Sequence, residues 1–148
     1  MTCPFCAIVA GQAEASIVAE TPAAIAFLDL RQAVPGHVLV VPRRHVETIF
    51  ELDPALGGEL MVLATGVAKA LQASLQPAGL NLWQSNGAAG GQEVPHLHLH
   101  VQPRRVGDGL FRVYPQGLPA PARRDALEQL AARIRPHLPL SGPAPHRI

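Results

Sequence analysis

The spacing of apolar and polar positions changes several times along the chain, and each change predicts an element. Residues 16–20 (Ser-Ile-Val-Ala-Glu) and 24–29 (Ala-Ile-Ala-Phe-Leu-Asp) flank Thr21-Pro22, which predicts a β-hairpin ending at Asp29. Val34-Pro35-Gly36 marks the next turn. His37-Val38-Leu39-Val40-Val41, closed by Pro42, is almost continuously apolar and predicts a strand covered on both faces. The period then lengthens: Asp53-Pro54 offers an N-cap with proline at the first helical position, and Leu56, Leu60, Leu63, Val67, Leu71 and Leu75 recur every three or four residues. One amphipathic helix over about 53–75 is expected, broken by Pro77-Ala78-Gly79 and followed by a fourth strand at 80–84.

Alternation returns in Pro95-His96-Leu97-His98-Leu99-His100-Val101-Gln102-Pro103. On a strand, successive side chains point to opposite faces, so His96, His98 and His100 share one face while Leu97, Leu99 and Val101 share the buried one. Strand rise places neighbouring histidines about 6.5 Å apart, close enough to converge on one small anion or one metal ion. Histidine serves as base, nucleophile or metal ligand, and the row alone leaves catalysis and metal binding both open. The loop before it, Ser85-Asn86-Gly87-Ala88-Ala89-Gly90-Gly91-Gln92-Glu93, has glycine at three of nine positions. Its amides can approach a ligand closely and form an anion-binding nest, with Gln92 adding a neutral donor. Loop and row together suggest a phosphate cradle beside an imidazole nucleophile or base.

Composition narrows the class. With 148 residues, 48% hydrophobic and 16% charged, the chain can bury a core without disulfides. A net charge of +1, dispersed arginine pairs and few aromatics argue against a dedicated nucleic-acid binder. The start lacks a basic n-region and no apolar run approaches membrane-spanning length, so a cytoplasmic protein without a membrane partner is expected. Cys3-Pro4-Phe5-Cys6 is either a redox pair or half of a zinc site; no strand precedes it, and downstream histidines are available to complete a Cys2His2 set. Residues 115–121 are a proline-rich linker. Ala126, Leu127, Leu130, Ala131 and Ile134 give residues 122–134 the pattern of a short helix ended by Pro136, and 139–148 are expected to be disordered. The organisation expected is one domain over 1–114 and a tail over 115–148.

These motifs, in this order and spacing, resemble the histidine triad (HIT) family of nucleotide hydrolases and transferases, and its bacterial Hit-like branch in particular. The resemblance is carried by His96-Leu-His98-Leu-His100-Val-Gln102 after Gly91-Gln92, by Pro35-Gly36-His37 through Pro42-Arg-Arg-His45, and by the opening Cys3 through Gly11. It implies an α+β fold: an antiparallel sheet of about five strands, the one main helix packed on it, a short C-terminal helix, and a homodimer. It also implies hydrolysis at the α-phosphate of a nucleoside phosphoramidate or dinucleoside polyphosphate, releasing a nucleoside monophosphate such as AMP. His98 would be the nucleophile, and a neutral imidazole suits that two-step displacement. His96 and His100 complete the catalytic set, with His100, Gln92 and loop amides stabilising the phosphoryl oxygens. Asp29 matches the ribose-binding acidic position. Ser85, Asn86, Gly91, Glu93, Val94, Phe5, Ile8 and Leu30 are the further nucleotide contacts the resemblance implies.

The same resemblance sharpens the metal reading. Cys3, Cys6, His45 and His96 match the ligands of a zinc site in several bacterial relatives, and four protein ligands make such a metal structural, so that catalysis requires none. Three positions depart from the pattern. Ser85 stands where relatives usually carry Asn or Gln, Glu93 stands beside the leaving group where a carboxylate repels phosphate, and Gln102 replaces an aliphatic residue. The retained His100 favours hydrolysis over transfer, and Arg104-Arg105-Val106-Gly107-Asp108-Gly109 resembles the dinucleoside polyphosphate branch. Two other readings remain: a metal-dependent enzyme holding its ion on His96, His98 and His100, and a nucleotide-binding interaction protein with vestigial hydrolysis.

Overall fold

A computed structural model describes residues 3–110 and 113–139. It divides into a larger unit ending at Leu110 and a smaller unit after it. In the larger unit, α1 (Pro4–Val9), β1 (Ile17–Glu20), β2 (Ala24–Leu28), β3 (Val38–Pro42), α2 (Pro54–Leu75), β4 (Gly79–Gln84) and β5 (Leu99–Arg104) follow in order. The strands form one antiparallel sheet ordered β1-β2-β3-β5-β4. This α+β sheet and its main helix agree with the expectation for the fold. The apolar run of β3 became a central strand buried along its whole length.

Period-two alternation gives the two central strands two apolar faces. Ala24, Ala26, Val38 and Val40 pack with Leu60, Leu63, Ala64, Val67 and Leu71 of α2, and Leu97 and Val101 join them. Ile25, Phe27, Leu39 and Val41 point the other way and pack on Phe5 of α1. Burial of each large α2 side chain contributes about 1.5–3 kcal/mol, so Leu60, at 1% exposure, is the residue whose truncation would loosen this layer most. Asp53 caps α2 as expected, its Oδ1 accepting from Ala55 N at 2.8 Å and Leu56 N at 3.3 Å. Gln76 ends it in the left-handed conformation, its N–H donating to Gln72 O. By length and composition α2 would pass for a membrane span, contrary to the sequence expectation; its buried face identifies it as the core helix instead.

Two elements differ from expectation. The Cys3–Cys6 segment, for which the sequence pattern predicted no element, caps and opens the six-residue helix α1, with proline in its first turn. The histidine row is not all strand: the ladder begins only at Leu99, because Leu97 N donates to Val46 O and His96 N to Val94 O. In the smaller unit, α3 (Arg124–Ile134) is amphipathic with no buried residue and ends in a single 3-10 turn at Arg135–His137. Residues 140–148, most of the tail expected to be disordered, lie outside the described residues.

Candidate active site

The residue pair His96–His98 sets the site. His98 Nδ1 lies 2.7 Å from the carbonyl oxygen of His96, which can only accept, so Nδ1 carries the proton and Nε2 keeps a free lone pair. Burial is the main force pushing the His98 pKa below the ordinary histidine value, so the ring is neutral at neutral pH. Phe5 meets His98 edge-on at 5.2 Å and fixes its plane. His100 is pushed down to about 4, by burial first and then by His98 and His37.

His37, absent from the sequence-based candidates, belongs to this site. Its Nε2 lies 3.0 Å from His100 Nδ1, and its Nδ1 lies 3.6 Å from Asp29 Oδ2. The three form a chain Asp29···His37···His100. Trp83 of β4 stacks on His100 with ring centroids 4.3 Å apart and planes 3° from parallel. Gln32 holds the intervening loop shut: its Nε2 donates to the carbonyls of Asp29 and His37, and its Oε1 accepts from Gly36 N and His37 N. The signal in the sequence was a histidine heading an otherwise apolar strand beside a glycine turn.

The glycine loop is organised differently from a nest. The amides of Gly90, Gly91 and Gln92 donate back to Gly87 O and Ala88 O, closing a 3-10 turn. The Gln92 side chain, expected to face phosphate, accepts from Gly87 N at 2.8 Å and donates to Glu47 O at 2.7 Å and Val94 O at 3.0 Å. Asn86 is likewise occupied, accepting from Ile49 N and exchanging bonds with Gln84. Ser85 is half-buried beside them. The amides of Glu93 and of the adjoining Val94, next to the histidine row, are among those that donate to no other group in the loop. Phe5 is buried, and Ile8 and Val94 are half-buried against its cluster, whereas Leu30 is 99% exposed. Arg31 Nη1 donates to Glu93 Oε2 at 2.8 Å.

His96 faces away from its two successors. Its Nε2 lies 2.9 Å from Pro42 O, so the proton sits there and Nδ1 is bare, 3.3 Å from Cys3 Sγ and 3.6 Å from Cys6 Sγ. His45 Nδ1 lies 3.3 Å from Cys6 Sγ. His96 thus joins Cys3, Cys6 and His45 in the cluster that the resemblance implied, and the alternative of one ion held by all three row histidines has no such group among the described residues. With Zn–S near 2.3 Å and Zn–N near 2.0 Å, a tetrahedron has S···N edges of about 3.5 Å, which these distances match. The bare nitrogen, two sulfurs and second imidazole fit zinc.

The family model of the HIT domain matches residues 10–107. The chain belongs to the HIT family. It is 37% identical over 113 residues to Protein hit of Bacillus subtilis, covering 76% of this chain and 78% of that protein. It is 33% identical over 137 residues to the adenosine 5'-monophosphoramidase hnt1 of Schizosaccharomyces pombe, covering 91% of this chain and all of that one. A crystal structure of a zinc-bound histidine triad family protein from Mycobacterium smegmatis superposes with a TM-score of 0.70 at 34% identity, covering 90% of this chain and 98% of that one. This HIT chain thus keeps its row of three histidines but divides it, with His96 at the cysteines and His98 and His100 beside His37.

Proposed function

We propose that the protein hydrolyses a nucleotide at its α-phosphate through a covalent nucleotidyl-His98 intermediate and releases a nucleoside monophosphate such as AMP. The observation that carries this reading is the locked tautomer of His98, whose Nδ1–H is held by His96 O and whose Nε2 lone pair is free in a neutral ring. Nε2 attacks phosphorus and the bond to the leaving group breaks, its electron pair departing with that group. Water then attacks the same phosphorus, the N–P pair returns to Nε2, and the water proton leaves with the departing group or solvent. His100 Nε2 stands to take or give that proton while its Nδ1 exchanges one with His37, whose far nitrogen faces Asp29. In this reading loop amides, those of Glu93 and Val94 among them, donate to the phosphoryl oxygens.

Further contacts follow in this reading. Asp29 binds the ribose hydroxyls, and Phe5, Ile8, Leu30 and Val94 border the base, with Ser85 and Gly91 near the phosphates. The hydrolase reading draws support from the similarity to the phosphoramidase hnt1. Zinc held by Cys3, Cys6, His45 and His96 would be structural, fixing α1 to the segment that carries His98. The exposed Met61 and Val62 of α2 and Leu82 of edge strand β4 offer the surface for a homodimer, and two cysteines that form no disulfide suit the cytoplasm. The test is AMP release from adenosine phosphoramidate, diadenosine triphosphate and diadenosine tetraphosphate, with His98→Ala and a chelator as parallel arms. Release that vanishes in His98→Ala but survives chelation is expected. Loss under chelation, restored by added metal, would instead favour metal chemistry at Asp29, His37 and His100, whose ligand atoms lie within 4.8 Å of one another.

A further inference from the structure

Arg31 and Glu93 come from two loops that meet beside the histidines, the first following Asp29 and the second preceding the row. Their contact is 2.8 Å, with side chains 81% and 73% exposed. An exposed pair of this kind adds almost nothing to stability, so folding does not account for its position. The backbone of Arg31 is built into the site: its N–H donates to Asp29 Oδ1 at 2.8 Å, and its carbonyl faces His37 Nδ1 at 3.4 Å. Glu93 is near enough to His98 for its charge to act on that ring. Without Arg31 the surroundings are unsuited to a polyanion, because they set two carboxylates, Asp29 and Glu93, beside the histidines. Arg43 and Arg104 are engaged elsewhere, with Glu20 and Asp108.

We propose that Arg31 determines leaving-group specificity, exchanging Glu93 for a phosphate of the departing group and favouring nucleotides that lose a phosphate chain over those that lose an amine. This rests on the hydrolase reading above. When Nε2 of His98 bonds to the α-phosphorus and the P–O bond breaks, the electron pair and its negative charge settle on the departing phosphate oxygen. A guanidinium meets that charge with two parallel N–H donors. An amine leaving group departs as the neutral or protonated base and gains nothing from Arg31. Glu93 is the counter-ion that keeps Arg31 at the mouth until a phosphate replaces it.

The test compares kcat/KM for diadenosine tetraphosphate with kcat/KM for adenosine phosphoramidate in the full-length protein. In Arg31→Ala the ratio of the two should fall about tenfold, the scale of one charge-assisted contact. Arg31→Lys should recover part of it, and Glu93→Gln should raise the ratio by freeing the guanidinium and removing a repulsive carboxylate. High salt should lower the wild-type ratio and leave that of Arg31→Ala flat. An equal loss on both substrates, an unchanged ratio, or a wild-type protein that cleaves the phosphoramidate alone would overturn the assignment of Arg31 while leaving the hydrolase reading intact. A wild-type protein that cleaves neither would overturn both.

Discussion

Replacing Gln92 with alanine separates two roles for the residue that stands between the glycine loop and the histidines. Its side chain makes three neutral hydrogen bonds, from Gly87 N and to Glu47 O and Val94 O, at 2.7–3.0 Å. Each such bond contributes about 0.5–1.5 kcal/mol net, and the truncated chain recovers part of this in side-chain entropy, up to about 2 kcal/mol for a glutamine. The net loss expected is about 2 kcal/mol. For a folded unit of about 100 residues, with an unfolding entropy near 2.1 cal/mol/K per residue, that lowers Tm by roughly 9 °C. Circular dichroism melting measures the shift, and amide exchange over residues 87–94 should accelerate with it. Gln92→Glu should be no better than alanine, because it sets carboxylate oxygens against the carbonyls of Glu47 and Val94. A Gln92→Ala protein that melts within about 1 °C of wild type yet loses its turnover would refute the reasoning and return Gln92 to the phosphates.

Other expected outcomes follow from the site and its supports. Because His98 and His100 bind protons more weakly folded than unfolded, the acid limb of kcat/KM should lie below the ordinary histidine value of 6.5. The same linkage gives stability that is fully present above about pH 6.5 and is lost as pH falls toward about 4, where the unfolded chain takes up protons first. Melting at pH 7 and pH 5 checks the sign, and greater stability at pH 5 would contradict it. Protein expressed with zinc should carry one zinc per chain by elemental analysis, lose it in Cys6→Ser, and melt lower after chelation; full zinc content in Cys6→Ser would remove that cysteine from the ligand set. Gly36→Ala should cost about 3 kcal/mol, since Gly36 has φ +101° and an added Cβ would sit 2.6 Å from Leu75 Cδ1. It should also displace the adjacent His37, so an unaltered melting curve with unaltered turnover would count against that packing.

Much of the fold could be read from the chain because its local signals agree. Asp53-Pro54 and the leucines of α2 state a helix in both cap and period, and the apolar run of β3 states a strand between two covered faces. The site was less legible where tertiary bonds override local pattern. Period two in the histidine row does place Leu97 and Val101 in the α2 layer. It could not show that the backbone of Leu97 pairs with Val46 or that His96 turns its bare nitrogen to the cysteines. Polar side chains were the hardest to place. Gln92 and Asn86 have the donors a phosphate needs, but the carbonyls of Glu47 and Val94 take the first and the side-chain oxygen of Gln84 takes the second. His37 passed for a strand residue because its role depends on Asp29 and His100, eight positions before it and sixty-three after it.

The stacking of Trp83 on His100 has an optical consequence. The sequence contains a single tryptophan, so emission excited at the red edge of indole absorption originates at one ring, in face-to-face contact with an imidazole of the site. A protonated imidazole quenches indole emission by accepting an electron, whereas a neutral one does so weakly. Steady-state tryptophan fluorescence therefore reports, without a label, on the charge of the imidazoles stacked on that ring, His100 at 4.3 Å and His37 at 5.6 Å. It should stay bright through neutral pH and dim as the solution approaches about pH 4, and a nucleotide that brings a proton to His100 on binding should dim it at higher pH.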